Sequence, residues 1–248
     1  MSARGLLVLL ATLAACGVTS ALGAWQLARA SEKRALEAQQ ARQRALPPLG
    51  AAELPRDAAA LERQMQRAVR LEGRWRAEDS VWLDNRSMNG RVGFYAVTPL
   101  VLADGRAVLV QRGWWPRDAA ERTHIAAPPP PSGLVEVYGR IAAAASHQFA
   151  LGPEPALPGP IRQNLDLAAF AHEIRLPLQP FVVLQEDDPD AAGKTDDGLQ
   201  RHWPPPPVDV HKHYGYAVQW FALSALVLGL YVWYQLLRPR FAARADRA

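Results

Sequence analysis

Cysteine is almost missing from this chain: Cys16 is the one thiol in 248 residues, and it lies inside an apolar run. The remainder of the chain therefore has no disulfide, no CxxC redox pair, no thiolate metal site and no CxxCH haem-attachment motif. An extracytoplasmic thiol oxidoreductase and a cysteine-based copper carrier are excluded on that ground. Catalytic signatures are missing too. There is no GxSxG, no P-loop, no GxGxxG opening a helix and no HExxH. Few serines occur, none in a nucleophile setting, and no acid/base pair stands out from the other charges. The expectation is a protein that is not an enzyme. A basic stripe interleaved with aromatics is also absent, so no nucleic acid is expected as partner. The net charge of +4 is small.

Charge itself is missing from two blocks, Gly5–Leu27 and Tyr214–Leu237, of 23 and 24 residues. At about 1.5 Å per residue each reaches about 34–36 Å, enough to cross a ~30 Å hydrocarbon layer. The first block has two rival readings. Ala21-Leu22-Gly23-Ala24 resembles a signal-peptide cleavage site, and Leu13-Ala14-Ala15-Cys16 resembles a lipoprotein box. The run is long for a signal peptide and stays apolar after Cys16, which favours an uncleaved anchor. No amphipathic Arg-rich segment precedes it, so a mitochondrial presequence does not fit.

Flanking bases predict the orientation. Arg238, Arg240, Arg244 and Arg247 follow the second block, while only Lys212 stands close before it. That end is expected to be cytoplasmic, and two spans then put the N-terminus there as well. The first block conflicts: Arg4 precedes it, whereas Arg29, Lys33 and Arg34 follow it. The C-terminal signal governs its own span. The expected organisation is a first transmembrane helix at 5–27, an extracytoplasmic domain at 28–213 with a helical stalk at 28–46, a second transmembrane helix at 214–237 and a basic cytoplasmic tail at 238–248.

Within the domain, Pro47-Pro48 and Gly50 end the stalk, and Asp57 caps a short helix reaching about Gln66. From Ala68 the period changes to two. Val69, Leu71 and Trp75 alternate with polar residues, as a half-buried strand should. Further strands are expected at Val81–Arg86, Val92–Val101, Ala107–Trp115, Leu134–Ile141 and Phe181–Gln185, with a short helix over Leu165–Ile174. Asn89-Gly90 and Asp104-Gly105 read as two-residue hairpin turns. The fold class expected is a membrane α hairpin plus a β-rich α+β domain, built as an antiparallel sheet or small barrel. Two proline runs, Pro128–Pro131 and Pro204–Pro207, read as stiff spacers. Asp187–Asp197 reads as an exposed acidic loop without the EF-hand pattern.

Histidine is the informative residue type. His211 and His213 stand immediately before the second charge-free block, followed by Tyr214, Tyr216 and Trp220. Neutral imidazole is a common metal ligand, and a membrane edge suits an amphiphilic cofactor. The plainer reading is an interfacial aromatic belt with histidines at the water boundary.

Several segments together resemble the Surfeit locus protein 1 family, the cytochrome c oxidase assembly factors. Gly23, Trp25, Gln26 and Leu27 with Arg29 and Lys33 match its GxWQxxR-type motif. Val69-x-Leu71-x-Gly73-x-Trp75, Asp84-Asn85-Arg86, Gly93, Thr98-Pro99-Leu100, Asp104-Gly105 and Val110-Gln111-Arg112-Gly113-Trp114-x-Pro116 follow in order. His213 to Phe221 resembles its HxxYxxxW motif, with Tyr214-Gly215 replacing the usual Leu-Gln. The resemblance implies an assembly factor in a bacterial inner membrane, with its main domain periplasmic. It further implies haem a as cofactor, His213 as ligand of the haem iron, and oxidase subunit I as partner, with haem A synthase a further candidate. His211 stays open as the alternative ligand. Trp25 and Trp220 would flank a cleft for the farnesyl tail, Tyr216 would line it, and Arg29 and Lys212 would meet the propionates. A second reading is an interaction protein that stabilises a subunit I intermediate without touching haem.

Overall fold

The computed structural model of the chain describes residues 3–118, 120–121, 123–145, 160–190, 197–203 and 210–238. They fall into two compact units, Met1–Gln39 with Pro205–Ala248, and Gln40–Pro204.

The first unit is a pair of helices. Helix α1 spans Ala3–Arg44, so the expected anchor and its stalk are one unbroken helix. Its last turn carries Arg42 and Arg44, which suit the negative helix end. Helix α4 (numbered after α2 and α3 of the second unit) spans Val210–Tyr231 and continues with π-type winding over Val232–Leu237. Both helices are long and apolar enough to cross a membrane. Most of their leucines are exposed, Leu7, Leu10, Leu13, Leu226 and Leu228 among them, so protein does not cover this apolar surface. What is buried follows steps of three and four. Thr12, Thr19, Gly23 and Ala30 are buried on α1, with Cys16 and Gln26 half-buried between them. On α4, Val210 and Ala217 are buried and His213, Trp220 and Ser224 half-buried. That spacing is the seam of a left-handed helix pair, and its small residues let two backbones approach. The hydroxyls of Ser20 and Ser224 meet at 3.1 Å, and the Phe221 ring fills the space over Gly23.

The second unit is a closed barrel. Its strands are β1 (Ala68–Trp75), β2 (Val81–Met88), β3 (Arg91–Leu102), β4 (Ala107–Pro116), β5 (Leu134–Ala142), β6 (Ile161–Arg162) and β7 (Leu178–Gln185). Sheet order is β1-β5-β7-β4-β3-β2-β6, and β1 also pairs with β3, which closes β1, β5, β7, β4 and β3 into a five-stranded ring. Strand β5 lies beside β1, which leads through β3 to β4: the Greek-key order of small five-stranded barrels. Helix α2 (Ala58–Gln64) precedes the barrel, and the Asp57 carboxylate caps it by accepting from Ala60 N at 2.7 Å.

The antiparallel expectation holds for β1/β3, β1/β5, β2/β3, β3/β4 and β5/β7. It does not extend to β4/β7 or β2/β6, which are parallel. A parallel neighbour requires a crossover, and helix α3 (Leu167–Glu173) lies within the one that leads into β7. Asn89 and Gly90 form the expected tight turn, with φ of 50° and 75°, as a type I′ hairpin demands. Asp104-Gly105 differs from expectation. Leu102 and Arg106 pair across a three-residue loop, with Gly105 left-handed at φ 82°. The Asp104 carboxylate accepts from Arg106 N at 3.0 Å and from its guanidinium, which fixes the wider turn.

Strands β3 and β4 are buried on both faces. Leu71, Leu100, Val108, Val110, Phe181 and Val183 fill the barrel. Val97, Leu109 and Val182 belong to a second cluster, with Phe170 of α3, Trp114 and Tyr95. The alternation assigns successive residues to the two layers. The Asp84-Asn85-Arg86 motif makes a β-bulge between Leu83 and Arg86, with Asn85 at φ 56°. The bulge turns Arg86 inward, where its guanidinium donates to Gln163 O at 2.6 Å and Asp84 O at 2.8 Å. The motif therefore secures the segment before α3.

Candidate functional site: the helix pair

Because α4 begins at Val210, His211 and His213 stand in its first turn rather than before it. Two residues of helix place them on different faces. His213 is half-buried in the seam and His211 is exposed. The His213 ring meets α1: its Nδ1 lies 2.6 Å from Gln26 Oε1. A carboxamide oxygen only accepts, so Nδ1 of the neutral ring carries the proton and donates, and Nε2 keeps its lone pair. Among the described residues Nε2 has no hydrogen-bond partner.

The remaining predicted residues divide. Trp220 is half-buried along the α4 seam. Trp25 is 55% exposed and Tyr216 52%, each on the outer surface of its helix. Arg29 is exposed and paired with Glu32 at 2.7 Å. Trp25 and Trp220 are therefore not two walls of one preformed cleft. Between the helices the seam is closed by Ser20 against Ser224 and by the Phe221 ring over Gly23. The Arg34 guanidinium lies over the ring of Tyr214, the residue after His213, at 5.1 Å. Gln26 is the partner that reasoning from motifs left without a role. The signal for it was available: it is the one carboxamide in the first charge-free block, and it falls on the three-four spacing of Cys16, Thr19, Gly23 and Ala30.

The barrel unit offers a second convergence of polar groups. Past Val110, Val183 and Leu71 the inward positions become Arg112, Gln185 and Trp75, and with Val135, Val137 and Asp197 these line a cavity of about 240 Å³. The Arg112 guanidinium donates to Asp197 at 3.2 Å and stacks 5.3 Å from the Trp75 ring. Burial pushes its pKa down, and Asp197 opposes that shift. Among the described residues Gln185 Oε1 and Arg112 Nε find no hydrogen-bond partner. This volume is below that of ordinary ligand pockets, and far too small for a tetrapyrrole. A larger groove of about 710 Å³ beside α3 is lined by Ala143, Asn164, Leu165, Leu167, Gln179 and Pro180 among others. Among the described residues its lining includes no histidine or cysteine, and its Asp166 is engaged in capping α3 through Ala169 N at 2.7 Å. Among the described residues no three His, Cys, Asp or Glu side chains form a metal-binding group. In the helix pair, His213 presents an open nitrogen beside exposed apolar surface.

Comparison with known proteins agrees with the layout. A SURF1-like protein of Rickettsia felis is 24% identical over 223 residues, covering 86% of this chain and 90% of the relative. The SURF1 family model matches residues 13–225, which takes in most of α1, the whole barrel and the first part of α4. With a match over most of its length, the chain belongs to the SURF1 family.

Proposed function

We propose that this protein is an assembly factor for a haem–copper cytochrome c oxidase that holds haem a, as cargo, for insertion into subunit I. Oxidase assembly is the work for which the SURF1 family is known. The observation that carries the finer reading is His213: its Nδ1 is engaged by Gln26 at 2.6 Å, which leaves Nε2 open beside exposed apolar helix surface. Neutral imidazole with its second nitrogen hydrogen-bonded is the usual form of a histidine metal ligand. With the seam closed by Ser20, Ser224 and Phe221, the reading has the haem plane lie against the outer surface of the pair and the farnesyl tail along the exposed leucines. Arg34, Lys212 and Arg29 lie within about two turns of His213 or Gln26 and supply the cations that propionates prefer. The setting we propose is a bacterial inner membrane, with the chain crossing twice and the barrel on the periplasmic side.

The test is an absorbance spectrum of protein purified in detergent from cells that make haem a. The proposal expects a haem a spectrum in the wild type and its loss in His213→Ala at unchanged membrane level, with lower oxidase activity. A haem-free wild type that still supports oxidase assembly would establish the interaction-protein reading in its place.

A further inference from the structure

We infer that Gln26 is a positioning residue: by accepting from His213 Nδ1 across the helix seam it fixes the tautomer and rotation of the ring and so aims Nε2 at the haem iron. The inference rests on the haem-binding reading above and adds to it a residue on the opposite helix. Three facts carry it. The contact is short, 2.6 Å, and joins residues 187 apart in sequence. Both side chains are half-buried on the three-four seam, so neither is a loose surface group. Seam neighbours one and two turns further along α1, Gly23 and Ser20, touch Phe221 and Ser224, which sets the register that brings Gln26 opposite His213.

The chemistry explains why a carboxamide stands there. A histidine that binds metal through one nitrogen is oriented by the partner of the other, and losing that partner typically costs 10–100-fold in affinity. A carboxylate partner would draw the proton further and make the ring a stronger donor. A neutral carboxamide orients the ring while leaving it a moderate donor, which suits a carrier that must release its cargo. Because ligand and orienter sit on different helices, the grip on iron also depends on the two helices staying paired.

The experiment titrates oxidised haem b, as a probe, into detergent-purified wild type, Gln26→Leu, Gln26→Glu and His213→Ala, and follows the Soret band and the reduction midpoint. Gln26→Leu should weaken binding 10–100-fold. Gln26→Glu should retain binding and lower the midpoint, because a stronger acceptor makes His213 a better donor to ferric iron. Gln26→Leu affinity within twofold of wild type, or a Gln26→Glu midpoint unchanged or raised, overturns the role of Gln26 while His213→Ala still abolishes binding. If His213→Ala binds as wild type does, the haem-ligand reading itself fails. Nitrogen-15 NMR of the haem-free wild type, with His213 assigned by its loss in His213→Ala, supplies a check that does not need a folded Gln26 variant. The Nδ1–H tautomer is expected, and the Nε2–H tautomer would overturn the inference.

Discussion

Arg112, 2% exposed, is tied to Asp197 at 3.2 Å, and the same carboxylate oxygen accepts from Arg201 at 2.6 Å. Two guanidiniums thus share one carboxylate at the barrel mouth, and Arg201 also has Asp187 at 3.8 Å. Removing Asp197 takes from buried Arg112 its counter-ion, the costly way to break such a pair. Asp197→Ala should therefore destabilise the full chain by about 3 kcal/mol, read as a lower denaturation midpoint in detergent. Arg112→Leu with Asp197→Leu should cost less than the sum of the single changes, because the second change removes a charge the first has stranded. Strict additivity would show that the pair is not coupled.

Gly113 faces the segment that carries Asp197. A Cβ at Gly113 would stand 2.5 Å from Leu199 Cβ and 3.1 Å from Gln200 O. Leu199 and Gln200 lie so close because Trp114 and Gln200 exchange both backbone hydrogen bonds, at 2.7 and 3.0 Å. Gly113→Glu must lift this segment off β4 and should lower stability by more than ~1 kcal/mol. Gly50→Ala, where a Cβ meets nothing closer than 3.8 Å, is the control and should melt near wild type. Equal melting of the two variants would refute the close-packing account.

Glu173 gives a pH dependence with a definite sign. The Arg162 guanidinium hydrogen-bonds its carboxylate and holds the pKa below the ordinary 4.5. The unfolded chain then takes up this proton at higher pH than the folded one. The contribution is fully present above the ordinary carboxylate value and is lost as pH falls through the depressed folded value. Glu173→Gln should flatten the fall of thermal midpoint below about pH 4.5. Since Glu173 is an exposed group, its effect should shrink with added salt. A pH profile identical to wild type would show that the pair adds nothing.

The barrel was largely legible because its strands alternate and its turns carry their own chemistry. Asn89-Gly90 forms the hairpin its residues demand, and β1 to β5 fall within two residues of the expected bounds. Ring closure through β1 and β3 and the parallel entry of β7 beside β4 were not legible, since pairing partners distant in sequence leave no local mark. At the helix pair, the contact between His213 and Gln26 was not legible, since the two lie 187 residues apart. Nor was the exposure of Trp25, because one residue of helix, about 100° of rotation, separates it from the Gln26 seam position. The Pro204–Pro207 spacer and part of the acidic 187–197 loop lie outside the described residues.

The two tryptophans, expected to flank one cleft, should differ in effect. Trp220 lies half-buried on the seam two turns from His213, whereas Trp25 is 55% exposed. Trp220→Ala should release haem more readily than Trp25→Ala, measured as dissociation rates of the bound probe. The reverse order would place the haem on the Trp25 side of the pair.

Membrane topology sets the two charge signals against each other. Arg29, Lys33 and Arg34 after the first apolar run favour an inward barrel, whereas Arg238, Arg240, Arg244 and Arg247 favour an outward one. The structure bears on the conflict in one way. The first three bases belong to the same unbroken helix as the anchor, and two of them have partners: Arg29 holds Glu32, and Arg34 lies over Tyr214. Four arginines follow α4 in the sequence, whereas only Lys212 stands close before the second charge-free block. The tail should therefore decide. Alkaline phosphatase fused after Gly152 should be active in the periplasm, and the same reporter fused after Ala248 should be inactive. Activity at both sites would mean that only one helix spans. The inverted pattern would place the barrel in the cytoplasm and remove the periplasmic setting proposed for His213.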